Sequence, residues 1–147
     1  MKKVSKNTKE TAEIAKIFLN KILKDKNLRK GAKVVCLSGN LGAGKTAFTQ
    51  SAAKHLGIKD KVVSPTFVIF KKYPIKLKGH KFLFHFDAYR LKNEKELLNL
   101  GWEEIIADKK HLVFIEWPEN VRKIIPAHAQ FVYISNDQND SRVLELK

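Results

Sequence analysis

The chain has 147 residues, 44% hydrophobic and 30% charged, a balance that suits one globular domain with about two thirds of its unfolded surface buried. Its 29 Lys+Arg against 15 Asp+Glu give a formal net charge of +14, a field that attracts polyanions. No apolar run approaches the roughly 20 residues that cross a bilayer, and the single cysteine, Cys36, excludes an internal disulfide. The start MKKVSK runs into a charged amphipathic pattern instead of an apolar signal stretch, so no membrane contact and a cytoplasmic location are expected.

From residue 8 to 24, Thr11, Ile14, Ala15, Phe18, Leu19, Ile22 and Leu23 recur at three- and four-residue spacing, which predicts a helix with one buried stripe. Asn7, with Glu10 three residues on, marks its start. A turn over Leu28-Arg-Lys-Gly31 leads to Lys33–Leu37, KVVCL, a short β-branched run expected as a buried strand. A glycine-rich turn follows, then a helix over Ala47–Leu56 closed by Gly57. Residues 62–73 predict an extended segment broken by Pro65, able to pair with 81–86 (KFLFHF) across the loop 74–80. Short helices are expected at Asn93–Leu100 and from Trp102 to Ala107, and a second buried strand at 112–116, LVFIE. Terminal strands at 131–134 and 142–146 flank the turn NDQNDS. Helices and strands alternate, so the class is α/β: a single domain over residues 1–147 with a mixed, mainly parallel sheet flanked by helices.

Gly39-Asn-Leu-Gly-Ala-Gly44-Lys45-Thr46 fits G-x-x-x-x-G-K-[ST] without mismatch and sits between a predicted strand and a predicted helix. Glycines let successive N–H groups turn inward while the helix aims its positive end at phosphate. Gly39, Asn40, Leu41, Gly42, Ala43, Gly44, Lys45, Thr46 and Ala47 are therefore candidate nucleotide contacts. Lys45 would reach the β/γ-phosphates and the Thr46 hydroxyl would ligate Mg²⁺. Such a loop needs a second acid, and Glu116 stands at the carboxyl end of LVFIE, where ligands of open α/β sheets bind. In His85-Phe-Asp87, alternation sets His85 and Asp87 on one face; Asp87 is a candidate for positioning water or the metal's outer shell, and His85 reads as a packed hydrogen-bonding residue. Ser64-Pro65-Thr66 is either a hydroxyl switch toward Mg²⁺ or a turn set by proline. Trp102 and Trp117 read as core or rim residues, Trp117 being placed to shield phosphates.

Together GNLGAGKT, SPTF (Ser64 to Phe67), HFDAYRL (His85 to Leu91), GWEE (Gly101 to Glu104) and IEWPE (Ile115 to Glu119) resemble the TsaE family in order and spacing, over nearly the whole chain. The resemblance implies a bacterial P-loop ATPase of tRNA threonylcarbamoyladenosine formation that binds ATP and Mg²⁺ and hydrolyses ATP slowly alone. It implies TsaB and TsaD as partners, with modification at adenosine 37 and tRNA reached through the complex. It also implies Lys45, Asp87 and Glu116 as catalytic residues, Thr46 and Glu116 at the metal, and Thr11 and Arg142 approaching base and sugar. Asn40 stands where the family commonly has aspartate, and Ala47 where a second threonine is common. Two other readings are a small-molecule kinase, disfavoured by the lack of an arginine cluster, and a nucleotide-gated binding module.

Overall fold

A computed structural model describes residues 1–25, 31–40, 42–63 and 69–147. The expectations placed on residues 28–30, on Leu41 and on Ser64–Phe67 lie outside these. The elements run β1 (Lys2–Ser5), α1 (Thr8–Lys24), β2 (Lys33–Ser38), α2 (Lys45–His55), β3 (Phe70–Pro74), β4 (Phe82–Asp87), α3 (Lys95–Asn99), α4 (Trp102–Ala107), β5 (Leu112–Glu116), a 3₁₀ segment (Pro118–Ile124), β6 (Gln130–Asn136) and β7 (Arg142–Leu146). No helix among the described residues is long and apolar enough to cross a membrane.

All seven strands join one mixed sheet in the order β1-β7-β6-β2-β5-β4-β3. Its centre, β6-β2-β5-β4, is parallel, and the pairings at both edges are antiparallel. The parallel centre has helices on both faces, which is why KVVCL and LVFIE read as continuous apolar runs. Strand alternation divides the core. Val35, Leu37, Leu83, Leu112 and Phe114 face α1 and α2, where Phe18, Phe48 and Ala52 cover them. Val34, Cys36, Phe84, Phe86 and Ile115 face α3 and α4, meeting Leu97, Trp102 and Ile105.

The predicted ends of α1, α4, β5 and β7 match the structure, whereas three differences have plain causes. β1 carries two lysines and buries only Ser5, so no apolar pattern announces it; its backbone pairing with β7 makes the strand. α2 begins at Lys45, two residues before the apolar spacing begins. The helix expected at Asn93–Leu100 is shorter, because Asn93 Oδ1 accepts from the Lys95 N–H and sets a turn before it.

Helix α1 starts as its sequence predicts, with Asn7 Oδ1 accepting from the Glu10 N–H at 2.8 Å and Glu10 Oε2 from the Lys6 N–H at 2.7 Å. Its C-terminus is closed by a side chain from the sheet. Buried Lys33 donates its Nζ protons to the carbonyls of Ile22 (2.6 Å), Leu23 (2.6 Å) and Asp25 (3.0 Å). These are carbonyls that a helix end leaves unpaired, and a cation suits the negative end of the dipole. Lys33→Met keeps the stem but removes the donors, and urea denaturation should read a loss of about 1–3 kcal/mol.

Cys36 lies at the sheet centre, and burial, with a smaller push from Glu119, raises its thiol to about 12. A thiol-reactive dye at neutral pH should therefore label it only as the chain unfolds. Because the folded value lies above the ordinary 9.0, the thiol's contribution to stability is complete below pH 9 and is lost as pH rises toward about 12.

Candidate functional site

The glycine loop leaves β2 at Ser38 and enters α2 at Lys45. Gly39 passes so near β6 that a Cβ there would lie 2.4 Å from the Ile134 carbonyl oxygen, which explains a glycine at that step. Gly44, at φ +110, adopts a left-handed backbone that side chains resist, and a Cβ on it would press on the Arg142 guanidinium at 2.6 Å. The Phe48 N–H bonds the Gly44 carbonyl at 2.9 Å, so helical geometry leaves the N–H groups of Lys45, Thr46 and Ala47 without helical acceptors. Among the described residues no side chain caps this end.

Lys45 is buried inside the loop's curl. Its ammonium donates to the Gly39 carbonyl and, at 3.4 Å, to that of Asn40, and lies 4.0 Å from the centre of the Trp117 ring. Burial pulls the ammonium below the usual lysine range, while Glu116, Asp87 and Glu119 oppose that pull, in decreasing order. Three acids thus face one cation. Trp117 reaches Lys45 because its own backbone is left-handed (φ 59, ψ 51), turning the chain sharply after β5, with the Tyr89 ring packed at a tilt 5.1 Å away. A tryptophan in that region is costly and marks a position fixed by its surroundings.

The two predicted acids meet across the sheet. Asp87 and Glu116 are register partners at the carboxyl ends of parallel β4 and β5, and both are buried. Asp87 Oδ1 accepts from the Tyr89 N–H at 2.9 Å, and the Ala88 N–H donates to the Glu116 carbonyl at 3.0 Å. Glu116 Oε2 accepts from His85 Nε2 at 2.7 Å. On the loop's other side Arg142 donates from Nη1 to Thr11 Oγ1 at 3.3 Å, and Thr11 shares a 2.7 Å hydrogen bond with Ser5. A groove of about 550 Å³ opens there, lined by Thr11, Ala47, Gln50, Ser51 and Arg142.

The sequence-predicted residues therefore fall in two groups on either side of one loop. Asp87 and Glu116, paired in register, both act on the Lys45 ammonium; Thr11, Ala47 and Arg142 line the groove; Gly39, Asn40, Gly42, Ala43 and Gly44 form the bend between. Leu41 is outside the described residues. Sequence reasoning gave Glu119 no role, yet its carboxylate accepts from the Ser38 hydroxyl and acts on Lys45. Its signal was the last letter of IEWPE.

Among the described residues, no three His, Cys, Asp or Glu side chains converge as a metal cage. The donors present, the Thr46 hydroxyl and one or two carboxylates, instead suit Mg²⁺, which keeps much of its water and takes few protein ligands beside phosphate oxygens. The left-handed glycine loop opening α2 suits the phosphates themselves.

A family model described as "Threonylcarbamoyl adenosine biosynthesis protein TsaE" matches residues 5–144. The chain is 33% identical over 141 residues to the tRNA threonylcarbamoyladenosine biosynthesis protein TsaE of Rickettsia typhi, covering 95% of this chain and 89% of that one. With the protein of the same description from Bacillus subtilis it shares 35% identity over 136 residues, covering 92% and 78%. The crystal structure of Bacillus subtilis YdiB superposes with a TM-score of 0.74 at 30% identity, covering 98% of this chain and 82% of YdiB. With a match from residue 5 to 144 and these relatives beside it, the chain belongs to the TsaE family of tRNA threonylcarbamoyladenosine biosynthesis.

Proposed function

We propose that this chain is a Mg²⁺-dependent ATPase that works in the cytoplasm with TsaB and TsaD while the threonylcarbamoyl group is installed on adenosine 37 of tRNA. The observation that carries the reading is the juxtaposition of the Lys45 ammonium, at the head of α2, with the carboxylates of Glu116 and Asp87. A cation on phosphate and two acids beside it are what γ-phosphate hydrolysis requires.

Each residue then has a task. The inward N–H groups of the loop and α2 bind the phosphates, and Lys45 leaves the Gly39 carbonyl to neutralise charge that grows on the γ-phosphoryl oxygens. Thr46 and Glu116 would hold Mg²⁺, which supplies charge stabilisation at the phosphates. Asp87, fixed by the Tyr89 N–H, orients water. Thr11 and Arg142 line the groove for base and sugar. Trp117 covers Lys45 and keeps bulk water from it, strengthening its pull on phosphate.

The test is phosphate release from ATP and Mg²⁺ by the purified chain, alone and with TsaB and TsaD. Slow release alone and faster release in the complex are expected. Lys45→Met should lower turnover roughly 10²–10³-fold, the scale of losing one preorganised donor to a developing charge. Calorimetry that found no uptake of ATP or ADP would overturn the proposal.

A further inference from the structure

His85 has no part in the ATPase reading above, yet it is wholly buried and makes one short hydrogen bond, from Nε2 to Glu116 Oε2 at 2.7 Å. Register explains the contact. His85 pairs with Phe114 and Asp87 with Glu116, so His85 sits one rung below the acid on the same face of parallel strands. A carboxylate only accepts, so Nε2 carries the proton. Nδ1 is also buried and has no partner among the described residues, so a proton there would find no acceptor among them. The ring thus donates from Nε2 to Glu116 Oε2 and is held by that one bond.

Packing alone does not account for a histidine here. The layer around it is apolar, with Leu83 and Phe114 as neighbours on that face, and an unpartnered ring nitrogen is a cost that an aliphatic side chain would avoid. What the ring does is select between the two oxygens of Glu116. Oε2 is taken, and among the described residues no hydrogen bond reaches Oε1, so Oε1 is the oxygen left for a cation. The competitor for that carboxylate is Lys45. Glu116 acts on the Lys45 ammonium more strongly than the other acids do, yet the two form no ion pair within 4.0 Å; Lys45 is held by its own loop and by Trp117.

We infer that His85 is a positioning residue of the nucleotide site: it fixes the Glu116 carboxylate through Oε2, presents Oε1 as a single metal-facing oxygen, and keeps the acid from collapsing onto Lys45. The metal part of this inference rests on the ATPase reading; the hydrogen bond itself does not.

Two measurements separate these. In the full chain labelled with ¹⁵N, histidine-ring NMR should find His85 with a slowly exchanging Hε2 and an unprotonated Nδ1. An Nδ1–H tautomer or a fast-exchanging Hε2 would overturn the inference. Mn²⁺, visible by EPR, is then titrated into the protein saturated with a non-hydrolysable ATP analogue. His85→Leu should weaken Mn²⁺ binding about 10–100-fold, the usual effect of losing an outer-shell partner. His85→Gln, whose amide N–H can replace Nε2–H, should restore most of it. Both variants should bind the analogue in EDTA as the parent chain does. Equal losses in the Leu and Gln variants, or weaker binding in EDTA, would show a merely structural role and sink the inference. If the Leu variant does not fold, the Gln variant's retained Mn²⁺ affinity and the ring tautomer decide. If the parent chain binds no nucleotide, the ATPase reading fails, and the tautomer still decides whether His85 holds Glu116.

Discussion

Glu116→Gln is expected to fold as the parent chain does, bind ATP in EDTA, and lose at least roughly 10²-fold in Mg²⁺-dependent phosphate release in the complex with TsaB and TsaD. The substitution is nearly isosteric, and its amide oxygen still accepts from His85 Nε2, so the ring keeps its partner in the buried site. What disappears is one negative charge, with two consequences. The proposed metal site loses its anionic ligand from β5, leaving Thr46 and the neighbouring Asp87. Lys45 loses the strongest of the three acids that oppose the effect of burial, so its ammonium is drawn further below the ordinary lysine range. Both act against a step that needs a cation on phosphate. The measurement is steady-state phosphate release at saturating ATP, with calorimetry of metal-free nucleotide as the control for folding. Turnover within a few-fold of the parent chain would remove Glu116 from the mechanism.

How much of this was legible in the sequence depends on how local the determining physics is. The ends of α1 and β5 could be read because burial writes its period into TAEIAKIFL and its continuity into LVFIE. The loop could be read because glycine at positive φ and a following helix are local requirements, met at Gly44 and Lys45. Strand β1 could not, since KKVS becomes a strand only by hydrogen bonding to β7 at the far end of the chain. The hydrogen bond from His85 to Glu116 crosses 31 positions and depends on the register of two strands, which no single stretch encodes. Thr11 and Arg142 are 131 positions apart. Family resemblance, not spacing, named them. The left-handed turn at Trp117 was also hidden, because a tryptophan is a residue that local preference steers away from that conformation.

The largest loss of stability is expected from Trp102→Ala, a residue far from phosphate in sequence but tied to the segment that carries the site. Trp102 is 1% exposed, meets Phe86 edge-on at 5.1 Å, and donates from Nε1 to the Ile124 carbonyl at 3.2 Å. Truncation leaves a cavity between α4 and the sheet and an unpaired carbonyl at the end of the 3₁₀ segment, so a cost of about 3–5 kcal/mol is expected. For a domain of this size each kcal/mol lowers Tm by roughly 2–4 °C, so melting should fall by about 6–20 °C. Trp102→Phe separates the two parts, since it keeps most of the ring's volume and removes only the N–H; its cost should be about half or less. The effect should also reach function. The 3₁₀ segment from Pro118 to Ile124 begins one residue, Trp117, beyond Glu116 and carries Asn120, whose side-chain amide ties it to the Ala88 carbonyl at 2.9 Å. With its far end released from Trp102, the exit from β5 loses one of the side-chain ties that hold this segment, beside those of Glu119 to Ser38 and Asn120 to Ala88. Nucleotide affinity of Trp102→Phe should therefore fall more than its modest loss of stability accounts for at a temperature where it is fully folded. Unchanged affinity together with a melting loss of only a degree or two in Trp102→Ala would show that this side of the core neither anchors the fold nor steadies the site.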